Sequence, residues 1–95
     1  MNNQNTYKLI DGEFEPTDAR SILFTLVNDK INFHSMQSFG IKERTSGDTS
    51  FHDKRIKELA QTNIDIKNVM DYATENNLRL KIKGNIEIEL ISESL

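Results

Sequence analysis

The chain has 95 residues, no cysteine, one proline, four glycines and a formal net charge of −3. That length suits one small domain and excludes a multidomain enzyme, while the missing cysteines exclude disulfide staples, thiol nucleophiles and cysteine-based zinc sites. Leu, Ile, Val and Phe supply 26 residues, above the roughly 20% below which chains stay disordered, yet a total apolar share of 36% is thin for a domain that buries its own core.

A small secreted domain would need staples, so a cytoplasmic protein is expected. Met1 to Thr6 carry neither a basic run nor an apolar stretch, so they do not read as a leader. No segment approaches the ~20 apolar residues of a membrane span. A pI near 5.3 gives no overall attraction to nucleic acid or anionic lipid, so neither partner is expected. Eleven Ile, ten Asn and eight Lys suggest an AT-rich bacterial genome.

In chain order, residues 1–6 are polar and read as a disordered tail, with one small domain over 7–95. Tyr7-Lys8-Leu9-Ile10 reads as a short strand and Asp11-Gly12 as the turn after it. Pro16 disfavours helix at Glu15, Thr17 reads as an N-cap, and Asp18 suits the positive end of a helix dipole. Ala19, Ile22, Leu23, Leu26 and Val27 then recur at helical spacing, which Ile31 and Phe33 carry as far as His34. Residues 35–50, rich in Ser, Gly, Thr and Asp, read as a long connection pinned to the core by Met36, Phe39 and Ile41, with a short helical turn near 39–44.

Ser50 to Asp53 fit a capping box, with an acid shorter by one methylene than the usual Glu. The helix this opens covers about 51–75, with Ile56, Leu59, Ile66, Met70 and Ala73 on a heptad frame and Asn63 in the vacant slot. Asn at such a position either fixes the register of a helix pair or lies at the edge of the seam bonded to water. Ile64 and Val69 widen the apolar face, and Asn76-Asn77 end the helix because Asn tolerates the left-handed conformation.

Residues 78–90 alternate strictly. Leu78, Leu80, Ile82, Gly84, Ile86, Ile88 and Leu90 hold the even positions; Arg79, Lys81, Lys83, Asn85, Glu87 and Glu89 hold the odd ones. This is β structure with one buried face. A two-residue turn at Gly84-Asn85 would set apolar residues opposite charged ones, which the period of 2 forbids. Pairing about Gly84 matches Ile82 with Ile86 and Leu80 with Ile88, and sets Lys81 opposite Glu87. Two structures satisfy this. One is a hairpin with the loop Lys83-Gly84-Asn85; the other is an unbroken strand pairing with its own copy across a two-fold axis, a candidate dimer strand carrying Leu80, Ile82, Gly84, Ile86 and Ile88.

An antiparallel helix hairpin would bring His34 and His52 to one end with Lys30, Asp48 and Asp53, a candidate polar cluster. Two imidazoles and a carboxylate could ligate a metal, or one imidazole could act as a base, but the spacings match no known ligand pattern. The glycines at 12, 40, 47 and 84 stand singly and form no phosphate cradle. No catalytic residue, cofactor or metal is therefore assigned. Lys42, Arg44, Lys54, Arg55 and Lys57 make the locally basic stretch, diluted by Glu43, Asp48, Asp53 and Glu58.

The expected fold is α+β: a short N-terminal strand, an antiparallel two-helix hairpin with a long connection, and a long C-terminal strand or β-hairpin, in two layers. The expected function is a small non-catalytic interaction module that forms a homodimer, with an unidentified protein partner as the other association open to it. A nucleic-acid-binding regulator of winged-helix type comes second, and a small enzyme or metal-binding protein using His34 and His52 third.

Overall fold

A computed structural model describes residues 3–45 and 47–93. The elements run β1 (Gln4–Phe14), α1 (Pro16–Arg44), α2 (Ser50–Glu75) and β2 (Leu80–Glu89). This is the α+β class, with two helices and a two-stranded antiparallel sheet. Among the described residues, no helix is long and apolar enough to cross a membrane.

β1 is longer than the sequence pattern indicates. Gln4, Asn5 and Thr6 belong to the strand rather than to a tail, and Asp11-Gly12 continue it rather than turning; Met1 and Asn2 lie outside the described residues. The reason is the partner. β1 pairs with β2 from Gln4↔Glu89 to Phe14↔Leu80, with a bulge between Lys8 and Ile10. Backbone hydrogen bonds to an adjacent strand hold residues whose side chains alone give no strand signal. β2 is unbroken, so Lys83-Gly84-Asn85 form no hairpin loop, and its neighbour within the chain is β1.

The pairing sorts the side chains onto two faces. Phe14 opposite Leu80, Gly12 opposite Ile82, Ile10 opposite Gly84, and Tyr7 opposite Ile86 make one face apolar. The other face places Glu13 opposite Lys81 and Asp11 opposite Lys83, complementary cross-strand pairs.

α1 begins with Glu15 as N-cap and Pro16 in the first turn, so Thr17 is already inside the helix. Proline is well placed there, since its missing N–H would have no intrahelical partner. α1 then runs 29 residues to Arg44, so the long connection expected over 35–50 shrinks to about 45–49. The helix persists because its inward positions continue at helical spacing as Val27, Ile31, His34, Ser38 and Ile41. His34 and Ser38 are polar, so the apolar rhythm fades while the buried face does not. Met36 and Phe39, expected as core anchors, point outward and are largely exposed.

α2 spans Ser50–Glu75, close to its expected range, with Thr49 rather than Ser50 as N-cap. It ends in a Schellman-type turn: Asn77 has φ 56°, Leu78 N–H donates to the Ala73 carbonyl at 2.8 Å, and Asn77 N–H to that of Thr74 at 3.4 Å. The helices lie antiparallel, and Asn63 Nδ2 donates to Asn28 Oδ1 across them at 2.9 Å. Asn63 is thus bonded to the opposite helix.

α1 is the helix that meets both strands, while α2 packs on α1. Leu9 and Ile10 of β1 share an apolar recess with Ile22 and Leu26 of α1. The Cα envelope measures 53 × 37 × 14 Å with a radius of gyration of 17.3 Å, against about 12 Å for a compact chain of this length. Among the described residues the buried apolar side chains are Ala19, Met70 and Ala73.

Candidate functional site

The closed end of the helix hairpin brings three residues of the expected polar cluster, His34, His52 and Asp53, to the contact between α1 and α2. His34 projects from α1 and His52 from the first turn of α2, and their Nδ1 atoms meet at 2.9 Å. One ring must donate and the other accept, so the contact requires at least one neutral imidazole. His34 is 3% exposed, and its Nε2 is buried without a hydrogen-bond partner. Phe33 and Phe51 stand edge-on to the His34 ring, at centroid distances of 5.3 and 6.1 Å. Burial, reinforced by the charges of Lys30, His52 and Arg55, holds the His34 pKa below its ordinary value.

Asp53 sits one residue further along α2 and joins the helices differently. Its carboxylate accepts from Thr49 Oγ1 at 2.7 Å and from Ser38 Oγ at 2.9 Å. Those two hydroxyls favour the ionised form and lower its pKa, more than burial raises it. The expected capping box is therefore not formed: no side chain caps the Thr49 position, and Asp53 bonds hydroxyls in place of the cap backbone. Asp48 stands apart from the histidines. It accepts the Ser50 backbone N–H at 2.8 Å, which lowers its pKa and tightens the entry to α2.

Of the five residues expected to cluster, His34, His52 and Asp53 thus come together at the helix contact. Lys30 acts on His34 through its charge while its ammonium lies over the Phe33 ring, 4.7 Å from the centroid. Ser38 was not singled out, although it is 5% exposed and bonds Asp53. Its signal was the i, i+4 spacing from His34, legible only if α1 continues past residue 34.

Chemically, the cluster reads as a polar clasp. The carboxylate oxygens of Asp53 are engaged by hydroxyls and the paired Nδ1 atoms by each other. Among the described residues, no group of three or more His, Asp or Glu is arranged to hold a metal ion. The basic stretch falls around the same end, Lys42 and Arg44 in the last turn of α1 and Lys54, Arg55 and Lys57 early in α2. Arg55 pairs with Glu58 at 3.2 Å.

The second candidate region, Leu80, Ile82, Gly84, Ile86 and Ile88, forms the apolar face of β2. Its two ends differ. Leu80, Ile82 and Gly84 are half-buried, whereas Ile86 and Ile88, with Tyr7 and Leu90 beside them, are exposed. Compared with protein-family models, curated proteins and solved structures, the chain matches none.

Proposed function

We propose that this chain is a small non-catalytic interaction module that works as a homodimer. The carrying observation is surface. The single chain exposes 7673 Å², against about 5,600 Å² for a compact monomer of its mass, an excess of about 2,000 Å². A standard interface covers about 800 Å² on each partner, and obligate dimers cover more. The excess is apolar where it matters: Tyr7, Ile86, Ile88 and Leu90 on the sheet, and Leu26, Phe33 and Met36 on α1, are all more than 40% exposed. Exposed apolar side chains in this number mark an association surface.

A second copy is favoured as the partner because the even positions of β2 are symmetric about Gly84 and its odd positions run from basic to acidic, the self-complementarity an isologous contact needs. Size exclusion with light scattering at micromolar concentration tests this. The expected mass is twice 11.0 kDa, and a clean monomer overturns the reading.

A further inference from the structure

Resting on the homodimer reading, we infer that the interface is the outer edge of β2, which pairs antiparallel with its own copy about Gly84 to give a continuous four-stranded sheet in the order β1-β2-β2-β1. The sheet has two strands, so each strand has one edge without a strand neighbour among the described residues. The two edges are not equivalent. β1 carries the bulge at Leu9, a device that bends a strand and blunts its edge. β2 keeps a regular register through all ten residues, and regular open edges invite a further strand.

Charge then selects the orientation. At the end of β2 near the helices, Arg79 is held by Glu13 and Glu15, at 3.8 and 3.2 Å, and Lys81 and Lys83 lie opposite Glu13 and Asp11. At the far end, Glu87 and Glu89 lie opposite Thr6 and Gln4 and, among the described residues, take part in no ion pair. A parallel neighbour would stack these acids on their own copies, at a cost of like-charge repulsion. An antiparallel neighbour centred on Gly84 sets Glu87 beside Lys81 of the other copy and Glu89 beside its Arg79. The same register matches Ile86 with Ile82 and Ile88 with Leu80, so both apolar faces lie on one side of the joined sheet.

That arrangement also answers the uneven cover on the apolar face. On this face of β2, Leu80, Ile82 and Gly84 are half-buried, whereas Ile86, Ile88 and Leu90 are exposed. The two-fold axis brings the half-buried part of one copy alongside the exposed part of the other. Gly84, at the axis, has open space around it in the single chain: a Cβ there meets nothing within 4 Å.

The chain has no cysteine, so single cysteines report the interface directly. Gly84→Cys folds without steric conflict and is expected to oxidise to a covalent dimer, while Lys67→Cys, on the exposed face of α2, is not. A nitroxide at Asn85→Cys is expected to show strong dipolar coupling between copies, and one at Lys67→Cys little. Either the 84–84 linkage or the coupling at 85 supports the edge pairing. If light scattering gives a dimer for the unmodified chain and for the Gly84→Cys and Asn85→Cys variants, and neither the linkage nor the coupling appears, the edge pairing is overturned while the homodimer stands. A monomeric unmodified chain overturns both.

Discussion

His34 shows how one residue can make the whole fold sensitive to pH. Folded, it is buried against His52 and faces the cations Lys30 and Arg55, so its pKa lies below the ordinary 6.5. A histidine with a depressed folded pKa is neutral in the fold and takes up its proton more readily in the unfolded chain. Stability is therefore full above about pH 6.5 and declines as pH falls from there toward the folded pKa. Asp48, Asp53 and Asp71, whose pKa values lie below 3.8, remain ionised through that window and add their own loss only in stronger acid. Thermal midpoints between pH 7.5 and pH 5 should fall, and His34→Phe should flatten the slope; an unchanged slope in that variant would assign it to another group. Asp53→Asn should spare this slope but remove an acceptor from the Ser38 and Thr49 hydroxyls.

Among the elements, two positions test why the helices have these lengths and this alignment. Asn77 ends α2 with φ 56°, a conformation that costs most side chains about 1 kcal/mol and glycine almost nothing. Asn77→Val should lower stability by about 1 kcal/mol in urea unfolding, and Asn77→Gly should hold or raise it. Asn63 aligns the helix pair through its bond to Asn28 but leaves its Oδ1 buried without a partner. Asn63→Leu should raise stability by about 1 kcal/mol by removing that unsatisfied atom and completing the apolar seam. The same variant should admit other helix pairings, visible as broadened amide resonances, since a polar seam residue sets register at a cost in stability. Unchanged stability and sharp spectra would show that Asn63 does neither.

For the whole molecule, the governing fact is that a flat chain 14 Å thick cannot surround a core. In the proposed homodimer its stability depends on the second copy, and mass action then makes the melting temperature rise with protein concentration. A concentration-independent midpoint in a dimeric protein would show that folding is complete before association. Ile86→Lys places a charge on the open half of the sheet, where Ile86 is 43% exposed. It should dissociate the dimer while leaving the helical circular dichroism signal of any folded monomer intact. Subunits that stay associated with the fold preserved would place the interface away from this face.

What the sequence determined by itself was local and periodic. The alternation from Leu78 to Leu90 gave β2, and the heptad-like spacing from Ile56 to Ala73 gave α2, because the apolar residues of each element share one face. The meeting of His34 and His52 at one end also followed, since an antiparallel hairpin of the two helices leaves them no other place. The tertiary structure decided the rest wherever outward and inward positions exchange their usual chemistry. The second half of α1 turns His34 and Ser38 inward and Met36 and Phe39 outward, so its period is invisible to a search for apolar spacing. β1 reaches back to Gln4 because β2 supplies hydrogen-bond partners along its length. The choice of β1 as the neighbour of β2 was equally beyond reach. Strand pairing joins residues far apart in the chain, and the even positions of β2 match β1 and their own copy alike, so only the assembled fold shows which edge is taken and which stays open.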